Sequence, residues 1–308
     1  MRLLVIGGTY FLGRAFVRRL LAEKQRRIQD GEEMEIVLLN RGSVSHPEGI
    51  DELIRLDRHD RAGLSESRLH GQSFDVIVDF CAYEEGDIEG LVDSLGVCFR
   101  QYIFISTCDV YRRFTGEVMD EEGELEERIY PGKEGDYIRG KVRLEAELKR
   151  VCEEAGAHFS SVRPVIIYGP GNYAPREGIY YNWIKKAGQV LEPFDADGHF
   201  QLVYVDDAAE AIRLICNNEK ARDAAINVCG PQIYTWADFH RALKKAVPVR
   251  FESVYMTVNE IAEKHIGLPF PLTKQESEQY SGERITAMGL SYRSLEEGLK
   301  SGYDAFTG

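Results

Sequence analysis

The chain has 308 residues, long enough for one large α/β unit or two lobes and for a sizeable core without disulfide or metal staples. Its formal charge of −13 argues against a surface built mainly to hold a polyanion, and 44% hydrophobic with 29% charged residues is a globular composition. No apolar run approaches the roughly 20 residues of a membrane span, and the N-terminal apolar stretch is too short for a secretory leader, so neither a membrane nor a nucleic acid is the expected partner.

Residues 2–6 (Arg-Leu-Leu-Val-Ile) read as a buried strand that runs into Gly7-Gly8-Thr9-Tyr10-Phe11-Leu12-Gly13-Arg14, with a helix from about residue 11 to 24. Glycines at a strand-to-helix junction permit a tight turn and let a pyrophosphate approach backbone N–H groups. Gly7, Thr9, Tyr10, Phe11, Leu12, Gly13 and Arg14 are therefore expected against a dinucleotide, the alternative being a tight turn with no ligand. The G-x-x-G-x-x-G pattern calls for glycine at position 10. Tyr10 stands there, and its side chain must point away from the phosphates or partly cover them.

The charged segment 23–33 reads as a solvated helix end and loop, and residues 35–39 as the second strand. NAD-preferring sites place an acidic residue after this strand to bind the ribose 2′-OH. Asn40 and Arg41 follow here, and Arg41 with Arg14 would suit a 2′-phosphate, so NADP is the preferred cofactor and NAD the alternative. Residues 53–56 form a weak third strand, and Asp57-Arg58 after it falls where adenine contacts are usually made. Residues 75–79 form the fourth. Ligands of doubly wound sheets gather at strand C-terminal ends, which places Phe80, Cys81 and Ala82 beside the cofactor and Tyr83 beside the substrate. The fifth strand, 102–106, ends in Ser106-Thr107-Cys108-Asp109-Val110-Tyr111. A Thr107 hydroxyl there can hydrogen-bond a reacting oxygen or merely cap the strand, with Cys108 and Asp109 alongside.

Tyr137-Ile-Arg-Gly-Lys141 puts a phenol and an ammonium at i and i+4 on one helix face, about 5–6 Å apart at Cβ. A phenol has a pKa near 10; lowering it to about 7 needs roughly 4 kcal/mol, which one cation at about 4 Å supplies in an effective dielectric near 20. The spacing suits a tyrosine general acid/base. Tyr181-Asn-Trp-Ile-Lys185 repeats the pattern, but only Tyr137 lies between the fifth and sixth strands, where it can reach the sheet's C-terminal edge.

Residues 159–163 and 225–228 complete the strands. Near-continuous apolar strands alternating with helices predict an α/β fold, a doubly wound parallel sheet covered on both faces. From Gly169-Pro170-Gly171 the rhythm changes, and 169–204 and 245–308 lack the alternation. Residues 1–168 plus 205–230 are expected to bind the dinucleotide, and 169–204 plus 231–308 to form a smaller C-terminal substrate lobe. In it Asn172, Tyr173, Arg176, Tyr180 and Tyr181 are candidate substrate contacts or plain packing. The six cysteines form no C-x-x-C pair and lie in apolar segments, which suits reduced thiols in a cytoplasmic protein. The seven histidines show no ligand spacing, so no metal site is expected.

Together and in this order, the glycine turn, Phe104-Ile-Ser-Thr107…Val110-Tyr111, Tyr137…Lys141, Arg163-Pro164-Val165-Ile-Ile-Tyr168-Gly169-Pro170, Val203-Tyr-Val-Asp206-Asp207-Ala208 and Ser294-Leu-Glu-Glu-Gly298-Leu299 resemble the extended short-chain dehydrogenase/reductase family, the NAD-dependent epimerase/dehydratase group. The resemblance covers nearly the whole chain. It implies a Rossmann fold and a Thr107–Tyr137–Lys141 triad, in which Tyr137 is the acid/base and Thr107 holds the substrate oxygen. Lys141 would bind the nicotinamide ribose and lower the tyrosine pKa, and the backbone after Pro164, with Val165 and Ile166, would face the nicotinamide amide. It also implies a small-molecule substrate, such as a nucleotide sugar, and a homodimer.

Two departures matter. Dehydratases of the family carry Asp-Glu directly after the threonine. Cys108-Asp109 stands here, which ranks dehydratase below epimerase or reductase. The Gly-Gly-Thr-x-Phe-x-Gly variant also resembles an atypical branch that includes isoflavone-reductase-like and chloroplast stem-loop RNA-binding proteins, so a non-enzymatic nucleotide-sensing or RNA-binding role is the alternative.

Overall fold

The apolar strand runs assemble one parallel sheet because both of its faces are buried by helices. The computed structural model describes residues 1–306 apart from Pro175. In chain order, β1 (Arg2–Ile6) leads to α1 (Phe11–Gln29), β2 (Glu35–Asn40), β3 (Glu52–Arg55), α2 (Arg61–Glu66), β4 (Ser73–Asp79), α3 (Asp87–Leu95) and β5 (Cys98–Ile105). Then come β6 (Val118–Met119), α4 (Gly132–Ala155), β7 (His158–Pro164), β8 (Ile166–Tyr168), α5 (Glu177–Ala187), β9 (Gln189–Pro193), β10 (His199–Phe200), β11 (Leu202–Tyr204), α6 (Val205–Ile215) and β12 (Ala224–Val228). The chain ends with β13 (Tyr234–Thr235), α7 (Trp236–Ala246), β14 (Glu252–Met256), α8 (Val258–Glu263), β15 (Gln279–Tyr280), α9 (Glu283–Thr286) and α10 (Leu295–Ala305).

Seven strands pair in the order β12-β7-β5-β4-β1-β2-β3, all parallel. This is the Rossmann-type doubly wound sheet. Alternation divides the core. Leu3, Val5, Ile36, Leu38, Val76, Val78 and Ile103 face one way, onto Phe16, Val17 and Leu20 of α1 and Ala208 and Ile212 of α6. Leu4, Ile6, Val37, Leu39, Ile77 and Phe104 face the other, onto Leu91 of α3 and Leu144 and Leu148 of α4.

Of the differences from the sequence reading, three are the largest. Helix α1 runs to Gln29, beyond residue 24, because Glu23 pairs with Arg26 and Arg27 and prolongs it. Strand β5 starts at Cys98, four residues early, and carries that cysteine exposed. Residues 169–204 and 231–308 do contain strands: β9 pairs in parallel with β14 and β10 antiparallel with β13, while β11 and β15 pair in parallel with β8 and β6 of the earlier part of the chain. Pairs of two to five residues show too little periodicity to be recognised locally.

Candidate active site

The glycine turn is sterically compulsory. Gly7 has φ +80°, and a Cβ there would lie 1.9 Å from Cys81 Sγ. A Cβ on Gly13 would meet the Gly7 carbonyl at 2.8 Å and Gly8 Cα at 3.0 Å, so glycine lets α1 pack directly on the turn. Tyr10 is the N-cap of α1 and makes no side-chain cap; the first turn holds no acidic residue. Backbone N–H groups of Phe11, Leu12 and Gly13 therefore face outward at the positive end of a 19-residue helix, a donor set that fits a diphosphate. Thr9 is buried with its N–H on the Gly7 carbonyl. The ring of Tyr10 is 52% exposed and lies 5.4 Å from that of Tyr173. Tyr10 adopts ordinary extended backbone, with φ −129°, and it is Phe11 that carries a positive φ, +37°.

At the end of β2, Asn40 Oδ1 accepts from Gly42 N at 2.7 Å, while Nδ2 is buried without a partner. An unspent donor at this position fits a ribose hydroxyl. Arg14 is exposed, and Arg41 touches only Asp57, at 4.0 Å. Arg58 does not reach the adenine side as expected. Its Nη1 donates to both oxygens of Asp79 at 3.0 Å and its Nη2 to the Asp87 carbonyl at 2.6 Å, which turns the guanidinium into the interior. Burial opposes that charge, but Asp79 outweighs it and holds Arg58 firmly protonated. Asp57 alone of this pair remains at the surface.

Asp79 also accepts from Cys81 N and the Tyr102 hydroxyl, which fixes the chain after β4. Phe80 packs on Phe16, and the Cys81 thiol abuts Gly7. Burial and Asp79 push that thiol up to about 11, so it stays neutral. Ala82 is buried, and Tyr83 projects outward beside it.

Lys141 is buried, and its Nζ donates to the Ala82 carbonyl at 3.0 Å and the Ile105 carbonyl at 2.8 Å. The rings of Phe104, Tyr83 and Tyr137 surround it with centroids 4.6, 4.8 and 5.7 Å from Nζ. Burial lowers its pKa to about 8, resisted by Asp79 and Cys81. In this arrangement the phenol of Tyr137 is not lowered. Burial raises the phenol well above its usual value, Asp109, Tyr83 and Tyr173 add to the rise, and the Thr107 hydroxyl pulls the other way. Lys141 spends two protons on carbonyls and sits behind the ring. Thr107 lies two residues beyond β5, where it accepts from Asp109 N and donates to Asp109 Oδ2 at 3.0 Å. Thr107, Tyr137 and Lys141 are thus brought to one edge of the sheet.

Two residues escaped the sequence reading. A Cβ on Gly140 would sit 2.5 Å from the Tyr83 carbonyl, so this glycine lets α4 approach closely enough for Lys141 to bridge two strand ends. Glu145 extends the Tyr137–Lys141 stripe by four more residues. It accepts from Ser106 Oγ at 2.6 Å and from Arg163 Nε at 3.0 Å, and Arg163 Nη1 donates onward to the Tyr111 hydroxyl. The i, i+4, i+8 spacing was the available signal.

The substrate candidates separate. Asp109 stays by Tyr137. Cys108 is buried, its Sγ directed at the Arg163 carbonyl at 3.0 Å, because the short helix that Thr107 caps turns it inward. Tyr181 is a core residue, 2% exposed, its hydroxyl on the Leu299 carbonyl and its ring against Tyr303 and Phe306. Tyr180 is likewise buried. Asn172 Nδ2 is spent on the Ile167 carbonyl and Glu177. Arg176 is the N-cap of α5. Pro164 lies in β7, Val165 N donates to the Val228 carbonyl, and Ile166 opens β8 beside them. Among the described residues no His, Cys, Asp and Glu cluster is placed to hold a metal.

A family model described as the NAD dependent epimerase/dehydratase family matches residues 3–229. The chloroplast stem-loop binding protein of 41 kDa b of Arabidopsis thaliana is 27% identical over 260 residues, covering 80% of this chain. The match spans 63% of that protein's length. Among solved structures, UDP-glucose 4-epimerase of Thermus thermophilus in complex with NAD is 22% identical, with a TM-score of 0.70 over 100% of this chain and 99% of that one. UDP-N-acetylglucosamine 4-epimerase of Methanobrevibacter ruminantium is 16% identical, with a TM-score of 0.74 over 99% and 97%. Both share the fold.

Proposed function

Since the chain belongs to the NAD dependent epimerase/dehydratase family, we propose that it is an NAD(P)-dependent oxidoreductase or epimerase acting at a hydroxyl or keto carbon, of a nucleotide sugar by analogy with the epimerases it resembles. One observation carries the reading: Thr107, Tyr137 and Lys141 meet at the carboxyl ends of β4 and β5, next to a glycine turn whose N–H groups are free.

A bound nicotinamide would accept or return hydride. The chain's residues do the rest. The N–H groups at the start of α1 hold the diphosphate, and Asp57 and Asn40 take the adenosine side. Arg14 is exposed, and Arg41, exposed and only loosely paired with Asp57, can turn to a 2′-phosphate, which favours NADP over NAD. Lys141, with a pKa near 8, is charged at neutral pH and keeps one proton for a ribose hydroxyl. Thr107 orients the substrate oxygen. Tyr137, its pKa raised, holds its proton at Oη and serves first as a general acid. Acting as base requires that substrate or cofactor contacts lower that pKa. The thiol of Cys108 faces inward, so it is no proton donor to substrate, which favours epimerase or reductase over dehydratase.

Residues 1–168 with 205–230 carry the cofactor in this reading, and 169–204 with 231–308 close the substrate side. A homodimer and a cytoplasmic site belong to the same proposal; no helix of the described residues is long and apolar enough to cross a membrane.

The test is calorimetric titration of nucleotide-stripped protein with NADPH and NADH, followed by turnover of candidate nucleotide sugars. The expected result is binding of at least one nucleotide, with Tyr137→Phe abolishing turnover and retaining binding. Binding of neither nucleotide, or unchanged turnover in Tyr137→Phe, rejects it. A second reading, RNA binding, draws on the stem-loop binding relative and on exposed rings of Tyr10, Tyr83 and Tyr173 that can stack bases. The charge of −13 opposes it, and a gel shift at physiological salt with no retention removes it.

A further inference from the structure

We propose that Tyr173 is a cofactor-positioning residue: its ring, seated on Tyr10 and Phe11, closes the glycine turn over a dinucleotide's diphosphate and slows its release. The proposal rests on the dinucleotide reading above and adds to it a residue far along the chain from the turn.

Tyr173 is 67% exposed and yet reaches across to α1, its centroid 5.4 Å from Tyr10 in a tilted stack and 6.0 Å from Phe11 edge-on. Such pairs attract through their ring quadrupoles. The contact does not serve a core, since two of its rings stay largely in solvent. The cluster stands at the uncapped start of α1, where Tyr10 is the N-cap and Phe11 the first helical residue. Phe11 holds φ +37° there, and a strained non-glycine conformation persists only where neighbours enforce it. The ring of Tyr173 is one such neighbour. Its phenol also lies close enough to those of Tyr83 and Tyr137 to raise both.

The loop that presents it is anchored. Glu177, buried at the start of α5, accepts from Gly169 N at 2.7 Å and from Asn172 Nδ2 at 3.2 Å, and Asn172 Oδ1 accepts from Ala174 N at 3.0 Å. Residues on both sides of Tyr173 are tied down while its own ring projects. Asn172, expected on the substrate, is the foot of this device.

Stopped-flow fluorescence of NADH and NADPH release from the full chain tests the proposal, with Tyr173→Ala, Tyr173→Phe and thermal melting as companions. Tyr173→Ala is expected to release nucleotide roughly fivefold faster. Tyr173→Phe, which keeps the ring, is expected to match the wild type in release and in melting, and Tyr173→Ala to melt only slightly lower, as for the loss of one exposed ring pair. Tyr10→Ala is expected to speed release too, with an effect that does not add to that of Tyr173→Ala. Wild-type binding with unchanged release in Tyr173→Ala sinks the latch and leaves the dinucleotide reading standing. Release from Tyr173→Phe as fast as from Tyr173→Ala overturns the ring argument. Absence of NADH and NADPH binding by the wild type overturns both.

Discussion

The Arg163 guanidinium meets the Glu145 carboxylate in the interior, Nε to Oε1 at 3.0 Å, and so ties the residue before Pro164 to the helix turn that follows Lys141. Ser106, the neighbour of Thr107, donates to the same carboxylate, and Tyr111 takes a third bond from Arg163. The backbone segments that carry the proposed triad and the end of β7 are held together by one ion pair.

Removing one member of such a pair leaves a buried charge without its partner. Glu145→Ala is expected to lower the unfolding free energy by about 3 kcal/mol or more, whereas replacing both residues by apolar ones costs less than the single change. Denaturant titration of the single and double variants measures this. Equal losses in Glu145→Ala and the double variant would show that the charge pairing is not the source.

Gly140 offers a test with an inverted sign. Glycine to alanine inside a helix ordinarily stabilises by about 1 kcal/mol. Here the added Cβ would sit 2.5 Å from the Tyr83 carbonyl, so α4 must move off the chain that follows β4. Gly140→Ala is expected to destabilise by about 1–3 kcal/mol and to weaken nucleotide binding, as Lys141 loses reach to Ala82. Thermal melting with an unchanged or higher Tm counts against the packing argument.

Lys141 carries a pH dependence. Its folded pKa of about 8 lies below the usual 10.5, burial being the first cause. Below pH 8 the residue is charged in both folded and unfolded chains, and its burial is a standing cost. Between 8 and 10.5 the unfolded chain binds the extra proton, so the contribution to stability rises with pH in that window. Over the same range the folded site loses its ammonium. NADH affinity is therefore expected to fall through an apparent group near 8 that is missing in Lys141→Met. A flat affinity profile across that window in the wild type contradicts the assignment.

Much of the sheet and part of the site were legible because their signals are local. Gly7 through Gly13 lie on one turn, and Tyr137 and Lys141 one helical turn apart, where residue type and spacing suffice. The inward turn of the Arg58 side chain was not legible, because its partner Asp79 stands 21 residues away and nothing near Arg58 announces it. Lys141 answers to carbonyls at Ala82 and Ile105, which no side-chain pattern encodes. Tyr181 has the same i, i+4 lysine as Tyr137 and ends in the core, since what separates them is the packing of α10 against α5. Strands β9 and β14 pair across about sixty residues and are too short to be recognised singly.

The second lobe holds one more titration with a predictable sign. His240 on α7 is buried among Tyr180, Trp236 and Phe239, and neither ring nitrogen has a hydrogen-bond partner; Glu192 stands 3.8 Å from Nδ1. Burial drives its pKa down from 6.5 to about 4, with Glu192 resisting and Lys244 assisting. The folded value lies below the unfolded one, so the neutral ring's contribution is complete above pH 6.5 and is lost as pH falls toward 4, by roughly 3 kcal/mol at most. His240→Leu removes the titration. The wild type is therefore expected to lose stability relative to His240→Leu between about pH 7 and about pH 5, whichever is the more stable at neutral pH. Denaturant midpoints at the two pH values decide it: a constant difference between the proteins means that His240 does not titrate inside the fold.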